Sequence, residues 1–243
     1  MPTECRHCPL RKLSCFKPFS RDDERTMQDF KVGEIVVDAN RPILTEGTQS
    51  QQLYTVLDGM ALRYKLLPNG RRQVINVVFP GDFLGLQAEL LGELKHSVET
   101  VSKTTLCVFD KNAFWSFVRA HPDRALDIAW LTAIEEHLLG SSLLSLGQRS
   151  ARERIAWAIL SLYKRAEALN LVEKNVMALP IRQQDLADAL GLSLVHTNKT
   201  LAYLRDQKLA DWRGKKMVIL DEPRLFEMAI AEPGDFETLR PLM

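Results

Sequence analysis

Ile181–Gln207, IRQQDLADALGLSLVHTNKTLAYLRDQ, decides how the rest of the chain is read. Leu186, Ala187, Leu190, Leu201 and Leu204 recur at helical spacing. Gly191 falls where a first helix must stop, and a glycine accepts positive φ there without strain. Ser193 offers a hydroxyl to cap a second helix. Helix, glycine turn and capped helix predict a helix-turn-helix, which lays its second helix in a DNA major groove. His196, Asn198 and Lys199 lie early in that helix and can reach base edges or phosphates. The plainer reading is a solvated face on an ordinary helical hairpin.

The flanking sequence supports DNA as the partner. Ala210–Leu220 reads as two short strands around Arg213-Gly214-Lys215-Lys216, a winged hairpin with a basic tip. Residues 181–220 carry seven basic and four acidic side chains, while the 243-residue chain has a net charge of only +1. Affinity for phosphates must therefore be local. Upstream, Ser150 with Glu153 predicts a capping box for a helix at Ala151–Ala168, and Pro180 separates it from the motif. Glu222–Ile230 reads as a small helix and Pro233–Met243 as a tail.

A 46% hydrophobic composition suits a globular protein of one large domain or two smaller ones. No apolar run approaches membrane-spanning length, and the N-terminus lacks a signal-peptide core. A cytoplasmic protein with no membrane partner is expected. In that compartment cysteines serve more often as metal ligands or redox groups than as disulfides.

Three of the four cysteines, Cys5, Cys8 and Cys15, lie in the first nineteen residues. A C-x-x-C pair lets two thiolates converge on one metal or cluster, and Cys15 adds a further corner. Thiolates suit zinc and iron–sulfur clusters alike, and His7 is another zinc donor. An unstructured, reactive arm is the bland reading. Ser20–Phe30 predicts a short helix with Ser20 as its cap. From Gly33 to Phe109, short β-rich runs at Glu34–Asp38, Leu53–Leu57, Ala61–Leu66, Gln73–Val78, Ser97–Val101 and Leu106–Phe109 alternate with turn residues, which predicts an antiparallel barrel or sandwich. Asn112–Ala120 is a short helix. A long one follows from Asp123 to Gly147, with an apolar stripe of approximate heptad character. Either it is buried in one subunit or it pairs with a second copy. A single helix-turn-helix commonly reads half of a two-fold site, which favours a homodimer. The expected interface is Ile128, Leu131, Glu135, Leu138, Leu139, Ser142, Leu143 and Leu146.

The order of these parts resembles the CRP/FNR family of bacterial transcription regulators over essentially the whole chain. Gly-Asp-Phe-Leu-Gly at Gly81–Gly85, Ala-Arg-Glu-Arg-Ile-Ala at Ala151–Ala156 and Gln-Asp-Leu-Ala-x-x-Leu-Gly-Leu-Ser at Gln184–Ser193 carry the resemblance. It implies an α+β fold: an N-terminal antiparallel β-roll of the cyclic-nucleotide-binding, jelly-roll kind, a long dimerisation helix and a C-terminal winged helix-turn-helix. The corresponding divisions are a cysteine arm (1–19), a β-roll sensor (20–120), the dimerisation helix (121–148) and the DNA-binding domain (149–243). DNA contacts are expected from Arg182, Gln183, Gln184, Ser193, Val195, His196, Asn198, Lys199, Arg205, Arg213 and Lys215. RNA polymerase is an expected partner.

In the family's cyclic-AMP branch a glutamate after Phe-x-Gly holds the ribose, and an Arg-Ser pair holds the phosphate. Here Leu86 and His96-Ser97 stand at those positions, with Lys95 adjacent, so no cyclic-nucleotide response is expected. The FNR branch instead holds a [4Fe–4S] cluster on three arm cysteines and one at the end of a barrel strand. Cys5, Cys8, Cys15 and Cys107 match these positions, although Cys107 alone would read as a core residue. The resemblance implies that the cluster ties the arm to the barrel and favours the dimer, and that oxygen reverses both. Zinc binding, or no cofactor and a thiol switch, is the alternative within this class; an iron–sulfur electron carrier is the alternative outside it. The FNR pattern Glu-x-x-Ser-Arg falls on Val195, Asn198 and Lys199, so a different operator is expected. Neither a nucleophile–base constellation nor a P-loop or HExxH motif points to an enzyme.

Overall fold

The computed structural model describes residues 2–236 and 239–243; Met1 of the arm and Glu237 and Thr238 of the expected tail lie outside the described residues. Two compact units are formed. One comprises residues 1–70, 75–135 and 239–243, and the other residues 71–74 and 136–238.

The first unit opens with two short 3-10 turns, Cys5–His7 and Pro9–Lys12, followed by α1 (Arg21–Phe30). Ser20 caps α1 as expected: its hydroxyl accepts the Asp23 N–H at 3.1 Å, and Asp23 Oδ2 accepts the Ser20 N–H at 2.8 Å. Eight strands follow, with residues 72–74 at the start of the fifth grouping with the second unit: β1 (Lys31–Val37), β2 (Pro42–Leu44), β3 (Gln52–Asp58), β4 (Ala61–Leu66), β5 (Arg72–Val78), β6 (Phe83–Leu84), β7 (Ser97–Thr100) and β8 (Thr104–Asp110). They form two four-stranded sheets, in the orders β1-β8-β3-β6 and β2-β7-β4-β5. This is the antiparallel β-roll. The helix α2 (Leu86–Leu91), flanked by Gly85 and Gly92, had no sequence expectation. Neither did β2 and β6, which are too short for alternation to register.

Alternation along β8 gives the roll two different faces. Leu106 and Val108 point into a core with Leu44, Val56, Val78 and Val98. Cys107 and Phe109 point the other way, toward a second core of Met27, Phe30, Leu53, Phe114 and Phe117. Phe30 stacks on Phe117 and Phe109 at 4.0 and 4.9 Å between ring centroids. Cys107 therefore occupies the middle of its strand rather than the end, opposite Glu34 on β1 and Thr55 on β3. Past α3 (Phe114–Ala120) runs α4 (Pro122–Gln148), the expected long helix.

The second unit contains α5 (Ala151–Ala168), β9 (Val172–Glu173), β10 (Val176–Ala178), α6 (Gln183–Leu190), α7 (Leu194–Asp206), β11 (Ala210–Arg213), β12 (Lys216–Ile219) and α8 (Glu222–Ala229). The Ser150 N–H donates to Glu153 Oε2 at 2.7 Å, as the capping box predicts. The unexpected hairpin β9–β10 turns on Lys174 and Asn175, both at positive φ. It extends the wing into a sheet of order β11-β12-β10-β9. Ile155, Ile159, Tyr163, Leu186, Leu204 and Met217 fill the core beneath it.

Candidate functional sites: a thiol-lined cavity and a helix-turn-helix

The arm is fastened to the β-roll by its backbone. The Thr3 N–H donates to Glu34 Oε1 at 2.9 Å, and the Cys5 N–H to Gln28 Oε1 at 2.8 Å. The Lys31 ammonium, almost fully buried, donates to the Thr3 carbonyl and to Glu34 Oε1, both at 2.6 Å. Arg11 Nη1 donates to the Cys5 carbonyl at 3.1 Å. These bonds bring Cys5 and Cys8 beside Cys107, and all three line one cavity of about 30 Å³ together with Lys31, Arg11 and apolar side chains. That is room for a water or two.

Cys5 and Cys107 are held protonated. Burial pushes Cys107 up to about 11 and raises Cys5, and the Lys31 charge works against both shifts. A metal loading here must displace those protons. Burial opposes the charge on Lys31, but Glu34 and Cys107 outweigh it and its pKa rises.

All four cysteines are free of disulfides. Cys15 does not line the cavity, and neither does His7, which is exposed beside Glu4. Among the described residues no three His, Cys, Asp or Glu side chains converge tightly enough to hold a metal ion. The donor chemistry nonetheless suits a thiolate-ligated cluster: soft sulfur ligands, two neighbouring cations and apolar walls. The arm as it lies here is closed over the three inner thiols. Lys31, Arg11 and the cavity-lining Leu242 and Met243 had no sequence expectation, because only long-range packing brings them to Cys107.

The arm also reaches the long helix. Lys17 Nζ lies 3.3 Å from Asp127 Oδ1, and Arg124 contacts Asp127 at 2.9 Å and also pairs with Asp23. Asp127 and Arg124 are both buried, so their pair is shielded from solvent, whereas the Lys17 side chain is half exposed. Of the expected interface residues on α4, Ile128 and Leu131 pack against the core of their own unit. Glu135 accepts from Arg63 at 2.6 Å. Leu138, Ser142 and Leu146 are half-buried, whereas Leu139 and Leu143 are exposed. Leu126, Trp130 and Leu144, which the sequence does not single out, are exposed as well.

At the positions expected to replace a nucleotide-binding set, Leu86 packs on the second core. The Ser97 hydroxyl accepts the Glu46 N–H at 3.0 Å. His96 is buried; burial, with the Arg63 and Lys65 charges, pushes its imidazole down to about 3. It is neutral at physiological pH and provides no cation for a phosphate.

In the second unit Gly191 ends α6 at φ +62°, and its N–H bonds the Ala187 carbonyl. The Ser193 hydroxyl accepts the His196 N–H at 3.2 Å and starts α7. Thr197, Thr200, Leu201 and Leu204 form the buried face of α7, which leaves Val195, His196, Asn198, Lys199 and Arg205 exposed. Ser193, Gln184, Arg213 and Lys215 are also exposed, and Gln183 is half-buried. Arg182 grips Asp185 through two nitrogens, at 2.9 and 3.1 Å. Burial raises the Asp185 pKa, but the Arg182 side-chain and backbone bonds outweigh it and hold the carboxyl below its usual range. Arg182 thus has a structural bond at the start of α6. Arg213, at the wing tip, contacts Asp211 at 2.8 Å.

Residues 34–121 match the cyclic nucleotide-binding domain family, and residues 153–228 the Crp-like helix-turn-helix domain family. The chain is 31% identical to the transcriptional activatory protein AadR of Rhodopseudomonas palustris, over 93% of this chain and 92% of that one. It is 34% identical to the nitrogen fixation regulation protein FixK of Bradyrhizobium diazoefficiens, over 93% and 94%. The solved structure of FixK2 from Bradyrhizobium japonicum superposes with a TM-score of 0.73 at 27% identity, covering 82% of this chain and 98% of that one.

Proposed function

The chain belongs to the CRP/FNR family of transcription regulators, and from that premise we propose that it binds a two-fold DNA operator as a homodimer under the control of an iron–sulfur centre held by Cys5, Cys8, Cys15 and Cys107. The family consists of regulators, not enzymes, and its helix-turn-helix binds DNA. The observation that supports the sensor reading is the shared cavity. Thiols from the arm and from β8 line one space beside the buried Lys31 ammonium. When bound, a [4Fe–4S] cluster supplies an oxygen-labile anchor between arm and roll.

The chain's own residues carry the signal onward. With the group bound, the four thiolates would add to the backbone bonds that hold the arm, and Lys31 would offset part of their negative charge. Lys17 holds the arm to Asp127 at the start of α4. Release of the thiolates would leave the arm on its backbone hydrogen bonds alone and so weaken the Lys17–Asp127 contact. That loosens the helix whose exposed face, Leu139 and Leu143 with Leu126 and Leu144, pairs with a second copy. A separated dimer presents one α7 and one wing instead of two, and operator affinity falls.

The protein acts in the cytoplasm; among its described residues no helix is long and apolar enough to cross a membrane. Its output is activation through RNA polymerase, in line with the name of the relative AadR. The β-roll takes no cyclic nucleotide, because Leu86 and the neutral His96 lack the ribose acceptor and the phosphate cation. Iron analysis of anaerobically prepared Cys5→Ser, Cys8→Ser, Cys15→Ser and Cys107→Ser variants tests the ligand set. Each is expected to lose its iron, and a variant retaining the full iron content removes that residue from the set.

A further inference from the structure

Leu239–Met243 folds as part of the first unit, whereas α8 belongs to the second. The segment meets the cysteine arm edge to edge. Phe16 and Arg240 form a parallel bridge: the Arg240 N–H donates to the Cys15 carbonyl at 3.0 Å, and the Lys17 N–H donates to the Arg240 carbonyl at 2.9 Å. The Arg240 guanidinium then crosses to the β-roll. Its Nη2 donates to the Gly81 carbonyl at 2.7 Å and to the buried Asp82 carboxylate at 2.6 Å. The same guanidinium lies over the Phe16 ring, 5.6 Å from its centroid. Phe16 is seated where only glycine leaves room, since a Cβ at Gly81 would stand 2.2 Å from the ring. Beyond Arg240, Leu242 and Met243 are buried and wall the thiol cavity. Thr55, the ladder neighbour of Cys107, donates its hydroxyl to the Met243 carbonyl.

A terminal segment without such ties would fray. This one is fixed at both ends, on the arm and on the cavity. We infer that Leu239–Met243 is a strap that closes the cysteine site, and that Arg240 is the pin that positions Cys15. Cys5, Cys8 and Cys107 share the cavity wall; Cys15 stands outside it with its carbonyl committed to Arg240. For the Cys15 thiol to join the other three, its turn must swing inward, and the strap is what holds that turn. The C-terminal segment therefore governs when the fourth ligand becomes available. This deepens the sensor reading and rests on it for its biological meaning, but its test uses the thiols alone.

The test is timed N-ethylmaleimide labelling of the full-length, reduced, cluster-free protein, with each cysteine followed by peptide mass spectrometry. Arg240→Ala is expected to speed labelling of Cys15 by about tenfold or more, as local opening predicts. Arg240→Lys, which keeps a cation for Asp82, is expected to recover most of the protection. Leu242→Ala opens the cavity wall without touching the pin, so Cys8 and Cys107 should react faster while Cys15 stays within about twofold of the parent. Unchanged Cys15 labelling in Arg240→Ala overturns the proposal. So does an equal increase at all four thiols in both alanine variants, because the segment then serves only general stability. Anaerobic addition of iron and sulfide gives a second readout: visible absorption should appear faster in Arg240→Ala than in the parent, and an equal or slower rate counts against the strap. Failure of every variant and the parent to take up iron refutes the cluster reading, and labelling still decides the strap.

Discussion

Arg63 of β4 donates to Glu135 of α4 at 2.6 Å, and this pair fastens the β-roll to the long helix. Arg63 is buried, and the Asn76 amide donates to the same carboxylate oxygen at 3.4 Å. Glu135→Ala leaves that guanidinium buried without its counter-charge. The expected loss is about 2–3 kcal/mol, at the low end for a broken buried pair because Glu135 is partly exposed. Urea unfolding of the variant beside the parent measures it; Glu135→Gln, which keeps an acceptor for Arg63, should lose less.

His96 sets a pH limit on the same domain. Its folded pKa of about 3 lies below the ordinary histidine value of 6.5, so the unfolded chain binds the proton more readily. The stability that follows is fully present above pH 6.5 and is lost as pH falls toward the folded value. Between pH 7.5 and pH 5.0 the parent should lose about 2 kcal/mol that His96→Gln does not lose. Equal pH dependence of urea unfolding in the two proteins would show that the imidazole is not buried in its neutral form.

The exposed apolar face of α4 should behave as an interface. Leu143→Asp places a charge at the most exposed leucine of that face and should shift the protein to monomer in sedimentation, with the helical content of its circular dichroism unchanged. A dimer that persists in the variant would place the interface elsewhere.

Much of this arrangement is legible in the chain because it is local. Gly191 and Ser193 stop and start helices by their own backbone and side-chain chemistry, so the helix-turn-helix emerges from spacing alone. Longer strands of the roll show in their alternation. The two-residue β6 cannot, nor can β2, which begins at Pro42. The hairpin at Lys174-Asn175 does not show in the sequence, because Lys174 takes a positive φ that its residue type does not advertise. The cysteine site divides in the same way. The C-x-x-C spacing marks Cys5 and Cys8, whereas the approach of Lys31 and Met243 to Cys107 depends on sheet register and on a C-terminal segment that reads as a mere tail. The apolar stripe of α4 shows periodicity but not direction. Ile128 and Leu131 turn inward, whereas Leu126, Trp130 and Leu144 are exposed.

The DNA reader should separate side chains that contact bases or phosphates from those that hold the helix. His196→Ala and Lys199→Ala should each weaken operator binding by about 1–3 kcal/mol while melting like the parent, because both side chains are exposed. Ser193→Ala removes the α7 cap and should lower stability by about 1 kcal/mol. Operator titration and thermal melting, run on the same samples, give both quantities. Unchanged operator affinity in His196→Ala and Lys199→Ala would move recognition off the first turns of α7.

The most direct measurement follows one anaerobic preparation through visible absorption, iron and sulfide content, sedimentation and operator titration, before and after exposure to air. The expected result is a brown dimer with about four irons and four sulfides per chain that binds its operator, and that loses colour, dimer and operator affinity together in air. A colourless protein holding only zinc, or an operator affinity that air leaves unchanged, would contradict it.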